Sequence, residues 1–433
     1  MQALQLILTL TLLVFVHELG HFTFAKLFGA RVEKFYLFFN PWFSLFKFQK
    51  GETTYGIGWL PLGGYCKIAG MVDESMDTDQ LKSEPQPWEY RSKPLGQRFL
   101  IILGGVLYNF IAAILIYSAI SFAWGSSYLP LKNLEYGVYC DSLATEIGFQ
   151  NGDKIISVDG KEPKTLGDAI SKMILDNTKS VTVERNGQLE TVAIPDDLGK
   201  KIIANQNSFF LTEQFPFVVD SIMPNTPADN SDLRVDDKIV AVDSVRTPSF
   251  QDFALTVRNF KGQQTTLTVV RHGFEEQIPI TISEEGKIGA WTKTAYDQFE
   301  IQQDTYTLFE SIPQGIKMGV NTLTFYVKQF KLVFTKEGSQ EVGSFISMGK
   351  LYDETWNWQS FWALAAFFSV ILAFMNILPI PGLDGGHLAF LIYELIARKK
   401  PSENFLMKAQ MIGMAIIFAI FFYALFLDFG RLF

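Results

Sequence analysis

Four long apolar segments constrain this 433-residue chain more than any other feature of its sequence. A helix that crosses a bilayer needs about 20 mostly apolar residues. Residues 99–124, 356–383 and 409–427 contain no charged side chain. Residues 1–16 are also uncharged, and after a short polar interruption the apolar run resumes at residues 22–25. The alternative for this first segment is a signal peptide. A signal peptide would need a basic start and a small-residue cleavage site, and this segment has neither. We therefore predict a polytopic α-helical membrane protein with four transmembrane helices.

The lysines and arginines of the connecting loops predict which loops face the cytoplasm, because short cytoplasmic loops are rich in both residues. In the loop between spans one and two they are Lys26, Arg31, Lys34, Lys47, Lys50, Lys67, Lys82, Arg91, Lys93 and Arg98. In the loop between spans three and four they are Arg398, Lys399 and Lys400. Both loops are predicted to lie inside. Both termini and the segment between spans two and three are then predicted to lie outside.

The charge of the chain is unevenly distributed. The formal net charge is −8, but residues 130–304 hold 17 Lys+Arg and 27 Asp+Glu, a net of −10. Charged residues make up only 19% of the chain, against about 25% in soluble proteins. This composition indicates an acidic soluble module inserted into an apolar chain. It argues against a disordered protein and against a nucleic-acid binder, so no nucleic-acid partner is predicted.

The acidic module contains an internal repeat. Residues 152–159 (GDKIISVD) match residues 236–243 (DDKIVAVD), 84 positions later, and both alternate like half-buried strands. With residues 225–228 (NTPA) ahead of the second copy, the pattern resembles PDZ domains, which bind peptides by adding a strand to a sheet edge. Two inserted β-rich PDZ-like domains are predicted, at residues 130–208 and 209–290. Residues 134–137 and 214–217 are poor candidates for a carboxylate-binding loop, so a docking or steric role is an equal alternative.

The polar interruption of the first span carries the chemistry. His17-Glu18-Leu19-Gly20-His21 is an H-E-x-x-H pattern, whose i, i+4 spacing places both imidazoles on one helix face, where they can share a Zn²⁺. Glu18 is then placed to act as the general base. Ionisable residues inside an apolar span are costly unless they are paired or bind a metal. A metal site is therefore favoured over a helix end that simply reaches water.

A third zinc ligand is expected on another span, because catalytic zinc usually takes three protein ligands. Asp384 is the only carboxylate between Glu354 and Glu394. It follows a proline- and glycine-rich stretch, residues 379–382, which is predicted to unwind the third span. His387 is the competing candidate. We favour Asp384.

These motifs together resemble the site-2 protease family of intramembrane zinc metalloproteases, in particular the bacterial regulator of sigma-E protease type with tandem PDZ domains. The resemblance rests on H-E-L-G-H, on N-x-x-P-x-P-x-L-D-G-G-H at residues 376–387 and on the PDZ-like pair. Residues 61–65 (PLGGY) and 90–94 (YRSKP) also match. Residues 104–106 read GGV where the family usually has AGP ahead of Asn109, and residues 342–346 lack the family's GGPI.

The resemblance implies one Zn²⁺ per chain, held by His17, His21 and Asp384, with Glu18 as the general base. It implies that Asn376 positions the substrate backbone. Asn109 is also assigned to substrate binding. The implied substrates are single-pass membrane proteins, such as an anti-sigma factor already cut by an upstream site-1 protease, or remnant signal peptides. The implied location is the inner membrane, in contact with lipid, with the PDZ-like domains outside and the active site near the cytoplasmic face.

Two further segments have distinctive patterns. Residues 52–68 have a strand-and-turn composition, which predicts a β-loop at about residues 50–72 with an extended edge beside the metal site. The resemblance implies that this loop enters the membrane and pairs with an extended substrate, and Gly56 and Gly58 are assigned to substrate binding. The alternative is an ordinary cytosolic hairpin. Residues 305–336 predict an amphipathic helix in the outer interface, with a marginal fifth span as the alternative.

The predicted segments follow in chain order. They are a first transmembrane helix at 1–28, a cytoplasmic segment at 29–97, transmembrane helices at 98–124, 357–392 and 404–427, and the inserted domains and interfacial helix given above. The main functional alternative is a membrane-anchored PDZ scaffold or chaperone with a non-catalytic metal site. A metal transporter is a second alternative, but its ionisable residues should be spread through the full depth of the spans.

Overall fold

The computed structural model describes residues 1–71, 84–205, 209–333, 335 and 343–430. Parts of three predicted segments lie outside the described residues. They are 72–83 of the cytoplasmic segment, 206–208 of the first PDZ-like domain, and 334 and 336 of the interfacial helix. The chain forms two compact units. One comprises Met1–Gly125 with Thr305–Phe433, and the other is Ser126–Asp304.

The first unit is mainly helical and contains a small sheet. Its helices are α1 Gln2–Leu27, α2 Leu95–Trp124, α8 Leu308–Val333, α9 Phe345–Gly349, α10 Trp358–Ile377, α11 Asp384–Ala397 and α12 Glu403–Gly430. Its strands are β1 Val32–Phe39, β2 Phe46–Lys50, β3 Thr53–Ile57 and β4 Leu60–Ile68.

Among the described residues, four helices are long and apolar enough to cross a membrane, namely α1, α2, α10 and α12. The predicted class, a four-span helical membrane protein with inserted β-rich domains, is confirmed. Helix α2 lies at the centre of this unit and packs against α1, α8, α10 and α11. Ala113 of α2 and Ala366 and Val370 of α10 are completely buried in this contact. Small side chains at such positions allow two helices to approach closely.

The third span unwinds where its prolines and glycine predict. Helix α10 ends at Ile377 and α11 begins at Asp384, so that Asp384 follows a short non-helical connection. Helix α12 packs against this connection. A Cβ atom added to Gly413 would overlap the carbonyl group of Pro381, so only glycine permits this approach. The Gln410 side-chain oxygen accepts a hydrogen bond from the Gly382 N–H at 3.2 Å.

The sheet between the first two spans has the strand order β2-β3-β1-β4. Strand β1 pairs with β3 in parallel and with β4 in antiparallel orientation. Strand β3 is therefore paired on both sides, and β4 is an edge strand that also packs against α1. The strand composition of residues 52–68 agrees with β3 and β4, but the order of the strands depends on pairing with residues 32–39.

The amphipathic segment after the insert forms the single helix α8. Gly315 packs closely on Ser118 of α2, while Tyr326 and Phe330 contact Phe374 of α10 through ring edges. Helix α8 is not among the helices apolar enough to span a membrane within the described part of the chain. Its placement in the outer interface stays a prediction.

The second unit contains two β-rich domains with separate hydrophobic cores. Its strands are β5 Ser126–Tyr128, β6 Val138–Cys140, β7 Lys154–Val158, β8 Ser180–Arg185, β9 Gln188–Ala193, β10 Leu211–Glu213, β11 Phe217–Ile222, β12 Lys238–Val242, β13 Val245–Arg246, β14 Gln264–Arg271, β15 Phe274–Thr281, β16 Ala290–Thr292 and β17 Gln302–Asp304. Its helices are α3 Ser142–Ile147, α4 Leu166–Leu175, α5 Leu198–Ala204, α6 Phe250–Thr256 and α7 Ala295–Gln298. Strands β5 and β17 pair where the chain enters and leaves this unit.

The sequence repeat corresponds to the equivalent strands β7 and β12. In each domain the first strand pairs with a late one, β6 with β10 and β11 with β16. The edge strand beside β11 is thus β16, on which Trp291 is 63% exposed. A peptide that extends this sheet on the β11 side would therefore pair with β16 and not with residues 214–217.

Each repeat also contains the same buried ion pair. Arg185 donates to both carboxylate oxygens of Asp153 at 2.8 and 2.7 Å. Arg271 donates to both oxygens of Asp237 at the same two distances. Asp153 and Asp237 are each 1% exposed. The aspartate of the repeat therefore anchors a strand arginine inside each domain.

Replacing Arg271 with Met should destabilise the second β-rich domain by about 3–5 kcal/mol, because Asp237 would stay buried without its cation. Hydrogen exchange of the full chain measures this as lost amide protection across β12 and β14. The control is Arg246→Met, since Arg246 forms a surface pair with Glu275 in which the side chains are 67% and 53% exposed. That variant should change little. Equal amide protection of β12 and β14 in Arg271→Met and Arg246→Met would contradict the prediction.

Candidate metal centre

Three side chains from two helices converge at one point. His17 and His21 lie one helical turn apart on α1, and Asp384 is the first residue of α11. The His17 and His21 Nε2 atoms are 3.2 Å apart. Asp384 Oδ2 lies 3.1 Å from His17 Nε2 and 3.4 Å from His21 Nε2. Among the described residues, this is the one group of three His, Cys, Asp or Glu ligand atoms close enough to hold a metal ion.

The three mutual distances fit zinc. Zinc bonds to nitrogen and oxygen are about 2.0–2.1 Å long, which gives a tetrahedron with edges of about 3.3 Å. The three observed separations lie close to this edge length. Asp384 Oδ2 is buried, and both histidine Nε2 atoms lie within 3.4 Å of it. Two imidazoles and one carboxylate leave the fourth position open, as in catalytic zinc sites.

Helix α2 closes one side of this site. A Cβ atom added to Gly105 would lie 2.5 Å from His21 Nε2 and 2.6 Å from His17 Cε1. A Cβ atom added to Gly104 would lie 2.7 Å from the Gly20 carbonyl oxygen. The two consecutive glycines therefore allow α2 to lie directly against the ligand-bearing face of α1.

The backbone of α2 also orients one ligand. His21 Nδ1 lies 2.9 Å from the Ile101 carbonyl oxygen. A carbonyl oxygen only accepts hydrogen bonds, so Nδ1 carries the proton of the neutral ring, which leaves the lone pair on Nε2. This is the tautomer that a metal ligand needs.

Glu18 lies beside the three residues, in the wall of a cavity of about 810 Å³. The Glu18 carboxylate accepts a hydrogen bond from the Cys66 backbone N–H. Strand β4 lines the cavity beside Glu18, from Gly64 to Ile68. The cavity is large enough for an extended peptide segment and gives it access to Glu18 and to all three candidate ligands.

Of the four residues predicted to bind substrate, two lie next to His17 and two do not line the cavity. The Asn376 side-chain nitrogen lies 3.5 Å from both ring nitrogens of His17, beside the centre. Asn109 is completely buried, and its side-chain nitrogen lies 3.1 Å from His17 Nδ1. Gly56 is on β3 and Gly58 follows it, and neither is among the described residues that line the cavity.

His387, the competing ligand candidate, lines the same cavity but does not belong to the three-residue group. The sequence does not predict Ile101 or Gln410 as parts of the site, and Gly104 and Gly105 stand out in it only as a departure from the family pattern. Only Gln410 has a usable signal, because an amide inside an otherwise apolar span needs a partner. The roles of Ile101 and of the glycines depend on helix packing.

Comparison with known proteins agrees with this site. The model of peptidase family M50 matches residues 5–420. The chain belongs to peptidase family M50. It is 28% identical to the regulator of sigma E protease of Haemophilus influenzae and 27% identical to the regulator of sigma-E protease of Escherichia coli. Each match covers 98% of both chains.

Membership of this family shows a zinc metalloprotease of the site-2 protease type, as the resemblance implied. The four apolar helices make it a multi-pass membrane protein. His17, His21 and Asp384 supply the nitrogen and oxygen atoms that could bind the zinc ion of such an enzyme.

Proposed function

We propose that this chain hydrolyses peptide bonds of single-pass membrane proteins within or next to the bilayer. The observation that carries this proposal is the open side of the His17, His21 and Asp384 group, which faces the Glu18-lined cavity. A structural metal site needs neither a base nor an open cavity. The alternative, a membrane-anchored PDZ scaffold with a non-catalytic metal, accounts for neither.

Strand β4 supports an extended substrate conformation. A membrane helix buries its own backbone hydrogen bonds, so it has to unwind before a carbonyl carbon can be attacked. One edge of β4 pairs with β1 while its residues 64–68 line the cavity. Pairing with β4 would replace hydrogen bonds lost by the unwound segment. Asn376 lies beside His17, outside the described lining of the cavity, and in this proposal its N–H groups hold a substrate carbonyl.

Glu18 performs the proton transfers. When bound, zinc supplies Lewis-acid chemistry, which polarises a carbonyl and makes water acidic enough to lose a proton near neutral pH. The Glu18 carboxylate takes the proton of the attacking water and then donates it to the leaving amine nitrogen. The Cys66 N–H holds the carboxylate in place for both transfers.

The physiological substrates we propose are anti-sigma-factor-like proteins already shortened by an upstream site-1 protease, or remnant signal peptides. The proposal rests on the family and on the names of its full-length relatives. In this arrangement the acidic β-rich unit lies outside the inner membrane and excludes large ectodomains. The active site lies near the cytoplasmic face, where the basic loops are predicted, and the spans contact lipid.

The test is cleavage of a purified single-span substrate by the full chain in detergent. A zinc chelator should abolish cleavage because it removes the Lewis acid. Added Zn²⁺ should restore cleavage because it replaces that Lewis acid. A substrate with an intact large ectodomain is the control and should be cut more slowly. Cleavage that continues in the chelator would exclude the zinc mechanism, and no cleavage of any single-span substrate would favour the scaffold.

A further inference from the structure

Asn109 is a buried polar residue that the proposed mechanism does not use. It lies on α2 and is 0% exposed. Its backbone carbonyl accepts a hydrogen bond from the Ser369 hydroxyl at 2.7 Å, which ties α2 to α10. Its side-chain nitrogen lies 3.1 Å from His17 Nδ1, and its side-chain oxygen is buried without a partner among the described residues. The carboxamide of Asn109 is thus held against the candidate ligand His17, while its oxygen makes no hydrogen bond to the described residues.

The two ligand histidines differ in what faces Nδ1. For His21 it is the Ile101 carbonyl oxygen, an obligatory acceptor. For His17 it is the Asn109 carboxamide, which has a donor end and an acceptor end of nearly equal size. Which end faces His17 decides the tautomer of its ring.

With the Asn109 N–H group toward Nδ1, His17 must accept there and carry its proton on Nε2. That proton then points at Asp384 Oδ2, 3.1 Å away, and blocks the Nε2 lone pair. A half-turn of the carboxamide brings Oδ1 to the same place at almost the same volume. Oδ1 then accepts from Nδ1–H, its unsatisfied acceptor capacity is used, and the Nε2 lone pair becomes available to a metal.

We infer that Asn109 is a positioning residue of the zinc centre, whose side-chain oxygen accepts a hydrogen bond from His17 Nδ1–H in the metal-loaded protein. The inference rests on the proposed zinc site. It gives Asn109 a role on the ligand and not on the substrate. Asn376 does not select one ring nitrogen of His17, because its side-chain nitrogen lies 3.5 Å from both. Hydrogen-bond partners of ligand histidines typically contribute a factor of about 10–100 to metal affinity.

The test measures zinc affinity without any substrate. The full chain in detergent competes with a chromophoric chelator for Zn²⁺, which yields an apparent dissociation constant. Asn109→Leu keeps the branched shape of the side chain but removes the acceptor, so zinc binding should weaken by about 10–100-fold. Asn109→Asp keeps an acceptor, so its affinity should stay close to that of the unmodified protein. If Asn109→Leu does not fold, Asn109→Ala removes the same acceptor without adding volume and should show the same loss.

Ser369→Ala is the matched control, since it removes the hydrogen bond to the Asn109 backbone without touching His17. Its zinc affinity should be unchanged. Leu and Asp variants that lose affinity equally would indicate a packing role and overturn the inference, and so would a Leu variant with unaltered affinity. A proteolytically inactive protein whose zinc affinity depends on Asn109 in this way would refute the proposed function alone.

Discussion

Glu18→Gln should lower the rate of substrate cleavage by about 10²–10⁴-fold while zinc stays bound. Glutamine has the shape of glutamate but cannot take a proton from water at neutral pH. The three candidate ligands, His17, His21 and Asp384, are unaltered in this variant, and the cavity keeps its lining. The measurement is the initial rate of cleavage of a single-span substrate, with the zinc content of the same preparation determined by elemental analysis.

The matched control is Glu52→Gln. Glu52 pairs with Lys26 at 2.6 Å, and its side chain is 50% exposed. Because Glu52 is outside the described lining of the cavity, cleavage should continue at the unmodified rate. A Glu18→Gln protein that retains zinc and cleaves normally would remove Glu18 from the mechanism. Loss of zinc in that variant would show that Glu18 is needed for metal binding.

Asp384→Ala should weaken zinc binding by more than about 100-fold, whereas His387→Ala should leave it unchanged. The loss should exceed the effect of a hydrogen-bond partner because a direct ligand is removed. Asp384 Oδ2 lies between the two Nε2 atoms, at 3.1 and 3.4 Å. His387 shares the cavity but is not in this group. Competition with a chelator measures both affinities.

Asp384→Asn provides a second variant of nearly the same volume, which separates the loss of the carboxylate from a disturbed start of α11. It should also lose affinity, since a neutral amide is a poor zinc ligand compared with a carboxylate. Full zinc binding by Asp384→Ala together with its loss in His387→Ala would reverse the assignment of the third ligand.

The parts of the site that were predictable depend on local geometry. His17 and His21 share a face because any helix places residues i and i+4 together. The break after α10 follows from the prolines at 379 and 381, and Asp384 was singled out as an isolated carboxylate next to that break. The structure brings these three residues together.

The parts that were not predictable depend on which segments become neighbours. Residues 52–68 read as strands, yet their composition does not indicate that β3 pairs on both sides while β4 remains at the edge. Strand β4 lines the cavity, whereas Gly56 and Gly58 are outside its described lining, and their role in substrate binding stays a prediction. Asn109 was assigned to substrate, and only the packing of α2 on α1 places its carboxamide on His17. The partner strands β10 and β16 in the β-rich domains are likewise far along the chain from the strands they pair with.

Local sequence patterns predict four apolar helices, an acidic repeated insert and a histidine pair with its glutamate. These are consequences of hydropathy and of helical and strand periods, which act within a few residues. The tertiary structure alone decided which groups face the two imidazoles and which strand borders the cavity. Contacts such as His21 with the Ile101 carbonyl join residues 80 positions apart, and they form only because Gly104 and Gly105 let two helices approach closely.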